Sequence, residues 1–80
     1  PYNLERGINM RYDSENKYFI TDDINEIRHG VTFFNTYDEP YIMCNWLGHK
    51  FCVNLLNQET YSLNAMAVLF PFRYKDPQYN

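Results

Sequence analysis

The stretch Tyr41 to Asn64, YIMCNWLGHKFCVNLLNQETYSLN, carries alternating apolar residues through two successive turns. Alternation with period two places one set of side chains on one face of a sheet, so this chain is built around an antiparallel meander. A two-residue turn with Gly48 first and His49 second suits type II′, which needs positive φ at its first position. That turn pairs Trp46 with Phe51, Cys44 with Val53 and Ile42 with Leu55, six apolar residues on one face. A three-residue loop centred on Gly48 would pair Cys44 with Cys52 and mix Lys50 and Asn54 into that face. A one-residue slip flips a whole strand, so the consistent apolar face selects the first register. It predicts Cys44 and Trp46 in the core and Cys52 on the opposite face, unable to bridge to Cys44. After a turn over residues 56–60, pairing Leu55 with Tyr61 and Val53 with Leu63 continues the same face.

The flanking segments extend this pattern. Residues 8–21 read as a hairpin around the polar loop Asp13-Ser14-Glu15-Asn16-Lys17. Pairing Tyr12 with Tyr18 puts Ile8, Met10, Tyr12, Tyr18 and Ile20 on one face, and Arg11 and Phe19 on the other. Thr21 suits a helix N-cap, with Asp22 and Asp23 in the first turn, Ile24 and Ile27 sharing a face, and Gly30 at the C-terminal stop. The expected helix over 22–29 has two turns at most. Val31 to Tyr37 is strand-like, and Asp38-Glu39-Pro40 is a turn. Residues 65–70 fit a helix after a Ser62 N-cap or a short closing strand; the favoured reading is one turn near Asn64 to Met66, then a strand to Phe70. Pro71 and Pro77 weaken any continuation, and residues 75–80 form a tail. The expected fold is mainly β: one domain over residues 1–80, whose meander over 31–72 closes as a small SH3-like or Sm-like barrel or half-barrel. The N-terminal hairpin is an addition that covers one side or pairs with another copy.

Eighty residues with eight Tyr, six Phe and one Trp make a small but strongly aromatic chain. A domain of this size buries only about 60% of its unfolded surface, and each buried aromatic removes about 150–250 Å² from water. Fifteen aromatics are hard to bury in one such monomer, which predicts a homo-oligomer with the first hairpin as its contact. The formal net charge of −3 argues against nonspecific nucleic-acid binding, which needs a basic field. No apolar run is long enough to span a bilayer as a helix, and the N-terminus lacks the apolar core of a signal peptide. The expectation is a cytoplasmic protein without membrane contact, whose two Cys are free thiols.

Gly30-Val31-Thr32-Phe33-Phe34, then Pro40-Tyr41-Ile42-Met43, then Val53-Asn54-Leu55 with Glu59, and finally Val68-Leu69-Phe70-Pro71 occur in order. This pattern resembles a loose class of small phage-encoded β-domain proteins with the run G-x-x-F … Y-I/M … V-N-L-x-x-G-E … V-x-P, over roughly residues 24 to 72. Where that class carries Gly, this chain has Gln58. The resemblance implies a small β domain in a phage context, within the host cytoplasm, and carries over no catalytic residue.

The chemistry-bearing residues point to binding rather than catalysis. His29, Cys44, His49 and Cys52 are the inventory of a zinc site, but C-x4-H-x2-C is not a standard zinc spacing. No metal or cofactor is expected. No nucleophile–base–acid spacing stands out, and the three Gly are isolated, so no phosphate loop is present. Arg11, Tyr12, Tyr18, Arg28, His29, His49, Arg73 and Tyr74 are cationic or aromatic residues without an evident core role. Arg stacked with Tyr can hold a phosphate and a base. The leading expectation is a noncatalytic phage-type interaction protein of the anti-defence kind. It would bind a host or defence protein, or sequester a small nucleotide signal. The alternatives are a small-barrel binder of RNA or single strands, and a virion structural or assembly protein.

Overall fold

The computed structural model describes residues 10–75. Within it the chain forms a seven-stranded antiparallel sheet: β1 (Met10–Asp13), β2 (Tyr18–Thr21), β3 (Thr32–Phe34), β4 (Pro40–Trp46), β5 (His49–Asn54), β6 (Thr60–Ser62) and β7 (Phe72–Tyr74). The strand order is β1-β2-β7-β3-β4-β5-β6. The expected mainly β architecture is present, with the meander running from β3 to β6. The sheet does not close on itself; β1 and β6 are its two edges. The first hairpin is not an appendage either. The C-terminal strand β7 pairs with β2 on one side and β3 on the other, so it stitches hairpin and meander into one sheet.

The first hairpin is shifted by one residue from the expected register. Tyr12 pairs with Phe19 and Asp13 with Tyr18. The Asp13 carboxylate sets this turn: its Oδ1 accepts the N–H groups of Glu15 and Asn16, and its carbonyl accepts that of Lys17. Lys17 takes a positive φ of 63° to close the loop. The shift carries Phe19 into the core at 1% exposure and turns Tyr18 and Ile20 to the other face. Ile8 lies outside the described residues, as do residues 76–80 of the expected tail.

The expected two-turn helix is a single 3-10 turn, Ile24–Glu26. Asp23, not Thr21, is its N-cap; Thr21 is a strand residue whose Oγ1 accepts the Asp23 N–H. These successive side-chain turns use up the donors that a longer helix would have ordered, and Ile24 and Ile27 are both buried. Strand β3 stops at Phe34, because Asn35 turns inward and builds the next turn.

Strands β4 and β5 pair two residues away from the expected register: Trp46 with His49, Cys44 with Phe51, Ile42 with Val53. Leu47 and Gly48, at φ of 51° and 82°, form the turn, as a two-residue hairpin with positive φ at both positions requires. An even shift preserves the sharing of faces, so Ile42, Cys44, Trp46, Phe51 and Val53 do lie together. That face is not the core. The buried face carries Phe19, Phe33, Tyr41, Met43, Cys52, Phe72 and Tyr74. Cys52 is therefore buried and Cys44 half-buried, the reverse of expectation, although the two thiols do lie on opposite faces and are free. Trp46, expected in the core, is 67% exposed.

Strand β6 pairs Cys52 with Tyr61 and Val53 with Thr60, not Leu55 with Tyr61 and Val53 with Leu63. Tyr61 thereby joins the core side, and its ring meets Tyr41 edge-on at 5.8 Å. Helix α1 (Leu63–Met66) follows, capped by Ser62, whose hydroxyl accepts the Ala65 N–H. The expected strand up to Phe70 is absent; the chain first passes the cis Phe70–Pro71 bond and then enters β7. The 3-10 turn and α1 pack against each other and bring Ile24, Ile27 and Met66 to the buried face. The other face carries no covering element among the described residues.

Candidate interaction surfaces

Antiparallel pairing sends alternate turns to opposite ends of the sheet. The β3–β4 turn (35–39), the β5–β6 turn (55–59) and the segment leading into β7 (67–71) meet at one end. Two backbone hydrogen bonds tie them: Thr36 N–H donates to the Leu69 carbonyl at 2.9 Å, and Leu55 N–H to the Pro40 carbonyl at 2.9 Å. Large apolar side chains stand exposed there: Tyr37, Leu55, Leu56, Val68 and Phe70. Turns ordinarily carry polar residues, so this is an unusual use of connections.

Two buried asparagines hold that end rigid. Asn35 is fully buried; its Oδ1 accepts the N–H groups of Tyr37 and Glu39, and its Nδ2 donates to Glu39 Oε1 at 2.8 Å. Asn54 does the same for the second turn, accepting the N–H groups of Leu56 at 2.7 Å and Asn57 at 3.2 Å. The Tyr41 hydroxyl lies among Asn35, Glu39 and Asn54, and burial pushes its ionisation up. The three connections carry Asp38, Glu39 and Glu59 and no basic residue. Asp38 is paired with Arg73.

A second surface is the open face of the sheet. Register places Tyr18, Ile20, Phe34, Ile42, Cys44, Trp46, Phe51 and Val53 there, with Arg73 among them. The Arg73 guanidinium lies over the rings of Tyr18 at 5.7 Å and Phe34 at 5.5 Å, and Lys75 over Tyr18 at 5.4 Å.

The residues singled out from sequence are thus dispersed. Arg73 and Tyr18 come together. Tyr12 packs on Phe19 at 4.8 Å, and Tyr74 is 2% exposed and stacked on Phe19 at 5.5 Å, so both belong to the core layer. Arg11 is exposed on edge strand β1, and Arg28 is exposed after the 3-10 turn. His29 accepts the Asn45 N–H through Nδ1 at 2.8 Å, a fastening of the strand end. His49 is exposed beside Trp46. An open groove of about 370 Å³ runs between His49, Lys50, Phe51, Thr60, Tyr61 and Ser62; none of these side chains is buried. Among the described residues, no three His, Cys, Asp or Glu side chains cluster as a metal site, and no helix is long and apolar enough to cross a membrane. Burial pushes the Cys52 thiol up to about 11, with Cys44 adding to the shift; that is the reverse of nucleophile activation.

The apolar turns escaped the sequence reading. Their one signal is apolar residues where turn formers belong: Leu55-Leu56 directly before Asn57, and the run Val68-Leu69-Phe70 directly before Pro71. Comparison with family models, curated proteins and solved structures gives no match, so the functional reading rests on the geometry of this chain.

Proposed function

We propose that this chain is a noncatalytic interaction protein that binds another protein through the end of the sheet carrying Tyr37, Leu55, Leu56, Val68 and Phe70. The observation that carries this reading is the concentration of those exposed apolar side chains on three connections held by hydrogen bonds. Preordered apolar anchors bind at a lower entropic cost than mobile ones. Asp38 is met by Arg73, and the remaining acids of these connections, Glu39 and Glu59, favour a partner whose apolar surface is bordered by Lys and Arg. The likeness to phage-encoded β domains favours a host or defence protein as that partner. Sequestration of a nucleotide has less support: Arg73, its best phosphate ligand, is already engaged by Asp38 and by the rings of Tyr18 and Phe34.

The test is site-specific photo-crosslinking of the full chain in bacterial cells. The crosslinker replaces Leu56 or, as a control at the opposite end of the sheet, Glu15. One defined protein trapped from position 56, lost on Phe70→Ser and not trapped from position 15, supports the proposal. No trapped protein, or equal trapping from both positions, overturns it.

A further inference from the structure

We infer that the open face of the sheet is the contact between two copies of this chain, packed sheet on sheet. The first observation is that the central strands are apolar on both faces. Strand β4 reads Tyr41-Ile42-Met43-Cys44, and β5 reads Phe51-Cys52-Val53. A strand with one face in water alternates apolar with polar residues; near-continuous apolar runs belong to strands covered on both sides. The buried face is covered by the 3-10 turn and α1, and the opposite face has no such cover among the described residues.

A second copy fits that face better than a partner of different chemistry. On β2, β7, β3, β4 and β5 the Asp, Glu, Lys or Arg side chain facing this way is Arg73, and its charge is met by Asp38; Arg11 and Asp13 on edge strand β1 and Lys75 past the end of β7 lie at the margin of the face. A face whose middle carries no net charge offers little address there to an oppositely charged partner, and covering that middle strands no lone charge, while Arg11, Asp13 and Lys75 at the margin can stay in water. Size agrees. Seven strands about 4.8 Å apart and about 14 Å long present about 500 Å² per copy. Two copies then bury about 1,000 Å², the lower bound for a specific interface. Such a dimer is of modest affinity and dissociates on dilution. This surface is separate from the apolar end proposed above for another protein, so either reading can fail without the other.

The test uses the intact chain, whose one tryptophan, Trp46, reports on this face directly. Molar mass by sedimentation and Trp46 emission are followed together from low-micromolar to several-hundred-micromolar protein. The expected result is a dimer at the upper end, with emission moving to the blue as the exposed indole is covered. Ile42→Lys, which puts a charge in the middle of the face, abolishes both changes, while Leu56→Ser, in the β5–β6 turn, leaves them intact. Should Ile42→Lys not fold, the wild-type emission still decides. A monomer at every concentration overturns the inference, and so does a dimer whose Trp46 emission does not move.

Discussion

Met43 and Cys52 face each other across β4 and β5, and both are fully buried. Their chain neighbours Cys44 and Phe51 form the next pair and point to the other side of the sheet, half-buried. One pair of strands thus holds two thiols in opposite environments.

That difference is chemically readable. The Cys52 thiol, raised to about 11 by burial and secondarily by Cys44, stays protonated at pH 8 and out of reach of a thiol reagent. Native protein is expected to titrate with one fast thiol per chain, assigned to Cys44 by mass mapping, and two after denaturation. Two fast thiols in the native state would show Cys52 to be accessible. The same shift links folding to pH. The unfolded thiol ionises near 9 and the folded one near 11, so the folded state binds the extra proton between them. Stability is therefore lost as pH rises from about 9 to about 11, with a slope of up to about 1.4 kcal/mol per pH unit. Cys52→Ala removes that slope, which chemical denaturation at pH 8, 9 and 10 measures.

The buried asparagines make a second expectation. Asn35→Ala leaves the N–H groups of Tyr37 and Glu39 without their acceptor, and Asn54→Ala does the same to Leu56 and Asn57. These hydrogen bonds are part-buried and each contributes about 0.5–1.5 kcal/mol, so each substitution, which removes two of them, is expected to lower stability by about 1–3 kcal/mol in urea denaturation. Amide exchange should accelerate first in residues 36–39 for the one variant and 55–59 for the other. Uniform acceleration across the sheet would show that the turns are not separately held.

Much of the meander was legible in the sequence because period-two alternation is a local signal; which face is the core was not. Ile42, Cys44 and Trp46 alternate as cleanly as Tyr41 and Met43, so both faces qualify. The choice is made by residues distant in sequence: Ile24, Ile27 and Met66 cover the side of Met43. Strand β7 is invisible for the same reason. Its three residues follow a proline, and they form a strand only because β2 and β3 stand apart to receive them. The candidate site was scarcely legible: Arg73 and Tyr18 do meet, but Tyr12 and Tyr74 belong to the core layer. Long Tyr side chains serve either purpose, and composition does not separate them.

The Leu47-Gly48 turn gives a third expectation. Leu47 is held at φ 51° and is 82% exposed. A branched residue there sacrifices about 1 kcal/mol that Asn would retain. Leu47→Asn is expected to raise the melting temperature by a few degrees. Gly48→Ala, at φ 82° with open space where the Cβ would go, is expected to cost about 1–2 kcal/mol from backbone strain alone. A neutral Gly48→Ala would mean the turn adopts another geometry, and with it another β4–β5 register.

The first hairpin's register can be decided by two truncations. In the pairing of Tyr12 with Phe19, Phe19 is buried between the rings of Tyr12 and Tyr74, while Tyr18 lies on the open face against Arg73 and Lys75. Removing a fully buried Phe costs about 3–5 kcal/mol, a large share of the stability of so small a domain. Phe19→Ala is therefore expected to leave the chain mostly unfolded by circular dichroism at 25 °C. Tyr18→Ala loses a half-exposed ring and its cation contacts, together about 1 kcal/mol. The shifted pairing of Tyr12 with Tyr18 requires the opposite ranking, with Tyr18 the costly residue and Phe19 the cheap one. Because the two residues are adjacent, changes in β propensity or in hairpin length cannot mimic the reversal. The ratio of the two losses thus reports which face of β2 meets the core.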